Sequence, residues 1–301
     1  MNQFVKFGCR LTVPPPIVCK NAILYELHVK ADFAKLGALC DTVFGNSSVR
    51  CEPLQEDAYV VVRFGSIEWV GPDSRVVNGI NAGVQEEQII FQVPVKVHAN
   101  NDSVYAHFSP FIWVDNALSL VGGREVFGYP KSLGEFKIED GPSLTLSTYK
   151  KSDKSIKSQV LIKIKYTDDA PENFDLKGAY QEWYEAWLNG GRATEIFFKQ
   201  FNAIDSNFAY DAACFQQIAI AEYEGADLKP SDLKGSFNLT IEDSDIFPLF
   251  QDLGVETSGR LKGWKLNGDF TIGHPRVLWQ MPVPALLPGT TLSRCASKAL
   301  V

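Results

Sequence analysis

The sequence predicts an α+β fold: a mainly antiparallel β-sheet closed into a barrel-like core, with a few flanking helices. Three observations carry that expectation. Short runs rich in Val, Ile, Phe and Tyr recur along the chain and are bounded by turn residues. Helical patterns are few and short. The regular strand–helix alternation of a doubly wound parallel sheet is absent. With 45% hydrophobic residues, among them 20 Phe, 10 Tyr and 6 Trp, the 301-residue chain has ample apolar volume for a packed core.

Taken in order, residues up to about Pro16 read as extended, because Pro14-Pro15-Pro16 cannot be helical. Asp32 to Leu39 suits a short helix. Tyr59–Phe64 and Ile67–Val70 have the β-branched and aromatic bias of strands. Ile89–Val97 and Val104–Ser109 form two more, joined by the turn residues Ala99-Asn100-Asn101-Asp102. Asp115 is placed to cap a short helix over Ala117–Val121, which Gly122-Gly123 would stop. Gln159–Tyr166 alternates polar and apolar residues, as a half-buried strand does. A second helix is expected from Ala179 to Leu188, with Ala179, Trp183 and Trp187 on one face. Strand-like runs return at Ile196–Phe201 and Phe215–Ala221. No repeat or Gly/Ser-rich linker divides the chain, so residues 1–301 are expected to form one domain, with an extended arm over 1–20 and a tail over 282–301.

A formal net charge of -7 disfavours a polyphosphate partner and so nucleic acid. No stretch is long and apolar enough to span a bilayer, and the N-terminus does not read as a signal peptide, so the expected location is the cytoplasm, away from membranes. Six cysteines without C-x-x-C spacing read as free thiols, mostly buried. The four histidines form no ligand motif, and His98 and His107, flanking the expected turn, read as solvent-facing or satisfied in the core.

The chemistry concentrates in one stretch. Val93-Pro94-Val95 and Trp113-Val114-Asp115-Asn116 lead to a short helix, and Gly123-Arg124-Glu125-Val126-Phe127-Gly128-Tyr129-Pro130-Lys131 follows. Gly128-Tyr129-Pro130 enforces a stiff, non-helical approach to Lys131. A lysine there, among Phe127, Tyr129 and aromatic strands, can point into an apolar pocket. A free lysine titrates at about 10.4, so at neutral pH only about one amine in a thousand carries its lone pair. Depressing that value by about 3 units takes about 4 kcal/mol of bias against the ammonium, which burial or a neighbouring cation can supply. The alternative is an ordinary surface lysine in a loop.

The run VDNALSLVGGREVFGYPKSLGEF resembles the signature of the acetoacetate decarboxylase-like family, in which the Schiff-base lysine directly follows the proline. That resemblance implies a lyase with Lys131 as nucleophile, acting on a small oxo acid or ketone as a decarboxylase or as a divergent aldolase-dehydratase. It implies no added cofactor, since the protein's own imine is the electron sink, and it implies a homo-oligomer. Arg192 and Lys199 in RATEIFFKQF and, more weakly, His274-Pro275-Arg276-Val277 extend it. Two positions depart from the family pattern. Ser132 stands where a second lysine is found. Gln88, six residues before Pro94, stands where an active-site glutamate is found, with Glu86 on the same strand face and Glu87 adjacent. The family's N-terminal active-site arginine has no clear counterpart; Lys20 and Asn21 are nearest by position. Gln88, Arg124, Glu125, Tyr129 and Trp113 are the expected substrate-binding residues, Tyr129 and Trp113 as pocket walls. Arg124 and Glu125 also read as an ion pair supporting the loop, and Gln88 as a plain strand residue. A non-catalytic small-molecule binder on the same scaffold is the competing function.

Overall fold

The structure, a computed structural model, describes residues 15–54, 58–72, 76–77, 80–81, 83–139, 142–152, 155–172, 185, 192–202, 213–225, 228–242 and 248–281. The expected tail and, apart from Glu185, the helix expected at Ala179–Leu188 lie outside the described residues.

Seven strands build the barrel: β1 (Ile17–Lys30), β2 (Tyr59–Pro72), β3 (Val84–Ala99), β4 (Asp102–Val114), β5 (Arg192–Asn202), β6 (Ala213–Glu224) and β7 (Gly263–Ile272). Their order is β7-β1-β2-β3-β4-β5-β6, and β6 closes on β7 through Tyr223↔Ile272 and Glu224↔Thr271. Every pairing is antiparallel except β4 with β5, which run parallel at Glu195↔His107 and Ile196↔Phe108. The parallel pair reflects the long excursion between these strands, since parallel neighbours need a crossover and not a tight turn. β3 and β4, by contrast, meet at Asn100-Asn101, whose φ values of 52° and 65° are those a two-residue hairpin turn requires and asparagine tolerates.

The strands run longer than expected, and two differences bear on the barrel. Tyr59–Phe64 and Ile67–Val70 are halves of one strand, β2. Of the arm expected over 1–20, residues 1–14 lie outside the described residues, and its last positions belong to β1, which pairs with both β2 and β7 from Ile17 onward.

Period-2 alternation sorts the side chains. On the outer face Leu27, Val29, Val60, Val62, Ile89 and Phe91 are fully buried in one core. That core is capped by α1 (Phe33–Phe44) and by a four-stranded antiparallel sheet ordered Ser236–Ile241, Ser155–Thr167, Ser143–Ser152, Glu135–Glu139. Asp32 caps α1 by accepting from the amides of Ala34 and Lys35, and the helix runs past the expected Leu39 because Leu36, Cys40 and Phe44, one turn apart, keep its buried stripe going. Fully burying each such side chain contributes about 1.5–3 kcal/mol. The inner face mixes apolar residues such as Leu24, Val61, Ile112 and Phe197 with buried polar ones: Glu26, His28, Arg63, Glu86, Gln88, Gln92, His107 and Glu195. A barrel interior this polar is costly unless its groups find partners. Among the described residues no helix is long and apolar enough to cross a membrane.

Candidate functional site

β4 ends at Val114, and the side chains of the next two residues set the chain's course. Asp115 accepts from the Glu87 amide at 2.8 Å and so ties the end of β4 to β3. Asn116, not the expected Asp115, is the N-cap of α2 (Ala117–Gly122), accepting from the amides of Leu118 and Ser119. Nor do Gly122 and Gly123 stop the helix. The backbone keeps helical angles through both and widens into one π-turn over Gly123–Phe127. Gly128 ends it at φ 93°, donating to the Gly123 carbonyl at 3.0 Å. A Cβ at Gly128 would lie 2.6 Å from the Lys199 Cβ, so both its conformation and its close packing on β5 demand glycine.

Pro130 then delivers Lys131 into the short strand Lys131–Leu133, which pairs in parallel with Ile112–Val114 of β4. β4 pairs with β5 at His107 and Phe108, and the lysine strand pairs with the stretch of β4 beyond them. From there the Lys131 side chain, 11% exposed, reaches the inner face of β3. Its Nζ lies 3.2 and 3.3 Å from the two carboxylate oxygens of Glu86 and donates to Ser119 Oγ at 2.7 Å. Ser119 Oγ in turn donates to Glu86 Oε2, closing a three-membered cluster whose carboxylate is 3% exposed. Gly123 makes room for the lysine stem: a Cβ there would sit 2.7 Å from Lys131 Cδ and 2.8 Å from Cε. The Tyr129 ring lies 5.8 Å from the amine.

The expected surroundings of Lys131 therefore need correcting in kind. The amine is withdrawn from bulk water, but its neighbours are a carboxylate and a hydroxyl, not an apolar wall. Such a cradle can hold the amine's position and exchange a proton with it. Nearby, burial first and the Glu86 charge second push the Cys19 thiol up, which leaves it protonated.

The other expected site residues divide. Tyr129 is buried beside the lysine, its ring perpendicular to Phe197 at 4.7 Å. Gln88 is buried on the same face of β3 as Glu86, but Glu86 is the residue that meets the amine. Trp113 belongs to the other side: Ile112 and Val114 face the barrel interior, so the intervening Trp113 is buried in the outer core, 6.2 Å from Phe91. It is not a wall of the lysine site. Arg124 and Glu125 are exposed on the π-turn, and no hydrogen bond or ion pair joins them to each other or to Lys131, because successive residues on a helical turn point in different directions. The Glu125 carbonyl instead accepts from Lys199 Nζ. Arg192 pairs on the surface with Glu222 and Glu224. Asn21 donates to Glu68 at 2.6 Å. His98 is half-buried and 3.2 Å from Glu52. His107 is buried, and burial together with the Arg63 charge depresses it to about 3, so it is neutral.

Sequence reasoning passed over Glu195. It is 3% exposed on the inner face of β5, between inward-facing Ala193 and Phe197. Its carboxylate takes hydrogen bonds from Ser109 Oγ, from Gln92 Nε2 at 3.5 Å and from the Tyr129 hydroxyl at 3.0 Å. Burial pushes it up to about 7 against the opposing hydrogen bonds and the Arg63 and Lys131 charges. The available signal was a charged residue between two apolar ones, Ala193 and Phe197, on one face of a strand-like run. Further along the barrel, Arg63 holds Glu26 at 2.7 and 2.9 Å, and His28 lies 3.1 Å from the same carboxylate.

Residues 52–183 match the family model for acetoacetate decarboxylase. No curated protein matches the sequence. In fold, the chain is similar to an acetoacetate decarboxylase from Legionella pneumophila subsp. pneumophila str. Philadelphia 1, at 13% identity and a TM-score of 0.59 over 93% of both chains. It is also similar to an acetoacetate decarboxylase-like enzyme from Sphingomonas wittichii RW1, at 15% identity and 0.57, over 93% of this chain and 99% of that one. A third likeness is to the enduracididine biosynthesis enzyme MppR complexed with the condensation product of pyruvate and imidazole 4-carboxaldehyde, at 13% identity and 0.56, over 90% and 92%.

Proposed function

From the premise that this chain is acetoacetate decarboxylase-like, in its matched segment and in its fold, we propose that it is a Schiff-base lyase in which Lys131 condenses with the carbonyl of a small oxo acid. The observation that carries this is the contact of the Lys131 amine with Glu86 and Ser119 inside the barrel wall. Glu86 accepts a proton from the amine as its lone pair attacks the carbonyl carbon, and returns one to the carbinolamine hydroxyl as water leaves. The iminium then withdraws electrons from the neighbouring carbon. With a 3-oxo acid the bond to the carboxylate breaks, carbon dioxide departs and an enamine remains. With a 2-oxo acid a methyl proton departs instead, and the enamine attacks an aldehyde before water is lost.

Ser132 in place of a second lysine favours the second course, because no adjacent ammonium supports decarboxylation. The pyruvate-derived product held by one fold neighbour supports it too. The proposal carries with it a small oxo acid or ketone as partner, no added cofactor, a homo-oligomeric assembly and a cytoplasmic location.

The test is borohydride reduction in the presence of acetoacetate or pyruvate. A covalent mass increase that Lys131→Ala abolishes is expected. No adduct with either compound would leave a small-molecule binding protein as the better account. Carbon dioxide release from acetoacetate, set against consumption of pyruvate with an aromatic aldehyde, separates the two lyase courses.

A further inference from the structure

We propose that Glu195 is a proton-holding residue that acts through the Tyr129 hydroxyl on whatever carbonyl compound is joined to Lys131; the inference rests on the Schiff-base reading of that lysine. The geometry is specific. Tyr129 precedes Lys131 by two residues, and the Lys131 amide donates to the Tyr129 carbonyl at 2.8 Å, so the two residues share one tight turn of backbone. Phe127 and Phe197 clamp the ring at 5.8 and 4.7 Å. A carbon bonded to Nζ, itself 5.8 Å from the ring centroid, is thereby placed beside the tyrosine. The far end of that tyrosine is its hydroxyl, 3.0 Å from Glu195 Oε2.

Glu195 is unusual for a buried carboxylate. Among the described residues its hydrogen-bond partners are all neutral: Ser109 from β4, Gln92 from β3 and Tyr129. Arg63 and Lys131 act on it only through their charge, Ala221 lies opposite on β6, and His107, its parallel neighbour on β4, is neutral. Buried carboxylates kept for structure are paired with a cation, as Glu26 is with Arg63. A group without that pairing, and pushed up to about 7, exchanges its proton at working pH. A cavity of about 270 Å³ adjoins two of its partners, lined by Ser109 and Tyr129 together with Phe108 and Phe197.

The step balances simply. As the enamine carbon–carbon double bond supplies the pair for a new C–H bond, the nitrogen lone pair forms the iminium and the Tyr129 hydroxyl gives up its proton. The tyrosine oxygen takes the Glu195 proton, and the carboxylate left behind is reprotonated by water. In reverse, the carboxylate draws the tyrosine proton as the tyrosine takes one from the iminium methyl.

Acetone in deuterium oxide is the probe, read two ways: borohydride-trapped imine on Lys131, and methyl hydrogen exchange followed by NMR. In the wild type, exchange per trapped imine should rise with pH through about 7. Glu195→Gln and Tyr129→Phe should each lower it about a hundredfold or more and remove that step. Glu195→Asp should restore part of the step. Exchange at the wild-type rate in either variant overturns the proposal, as does a fall in trapping that matches the fall in exchange. Should Glu195→Gln fail to fold, Tyr129→Phe, which keeps the ring, decides. Absence of any trapped imine in the wild type overturns the reading of Lys131 itself, and the relay with it.

Discussion

Gly123→Ala separates the lysine's position from the fold's stability. Gly123 has φ −62° and ψ −45°, angles that alanine adopts freely, and it lies within the helical segment. Alanine in place of glycine there favours the folded state by up to about 1 kcal/mol. The added Cβ would nevertheless stand 2.7 Å from Lys131 Cδ and 2.8 Å from Cε. Carbon atoms pack at about 3.5–4.0 Å, so the lysine stem must retreat by roughly 1 Å. The stem is flexible and yields cheaply, but its amine leaves Glu86 and Ser119. A misplacement of about 1 Å costs on the order of a hundredfold in rate. The assay is the rate of borohydride-trapped adduct formation with pyruvate, beside a thermal melt. A melting temperature at or above wild type with trapping slowed by about a hundredfold is expected. Trapping at the wild-type rate would refute the claim that the Glu86–Ser119 cradle sets the amine's reactivity.

Glu86→Gln keeps shape and removes the base, so adduct formation should fall by about 10²–10⁴ while circular dichroism stays unchanged. Asn116→Ala removes the α2 cap and should cost about 1 kcal/mol, seen as a small drop in melting temperature, whereas Asp115→Ala should leave the cap intact. Glu195 also leaves a mark on stability. Its folded value, about 7, lies above the ordinary 4.5, so the folded state binds the extra proton between these values. The stability it supports is whole below about 4.5 and is lost as pH rises through about 7, on the order of 3 kcal/mol in all. Denaturant melts across that window should show the loss in wild type relative to Glu195→Gln; parallel curves would contradict it.

Much of the fold was legible because alternation and turn chemistry act locally. The Asn100-Asn101 hairpin and the barrel strands follow from them. The site was legible in part. Gly128-Tyr129-Pro130 does deliver Lys131 inward, and Tyr129 does flank it. What alternation alone cannot decide is position along the barrel axis. It places Glu86 and Gln88 on one face of β3, but which of them meets the amine depends on where the lysine strand docks on β4. Trp113 is a parity matter: the register of β4 turns it outward between Ile112 and Val114. The helix end was misjudged because glycine permits a turn without enforcing one. The chain kept winding through Gly122-Gly123 until Gly128 adopted a positive φ. Glu195 finds its partners on three other segments of the chain, and no sequence spacing encodes such a meeting.

The most direct measurement is peptide mapping of the protein after reduction with borohydride in the presence of pyruvate. A single modified peptide containing Tyr129-Pro130-Lys131, with the added mass on the lysine, is the expected result. An unmodified Lys131, or modification spread over surface lysines at equal yield, would contradict the account.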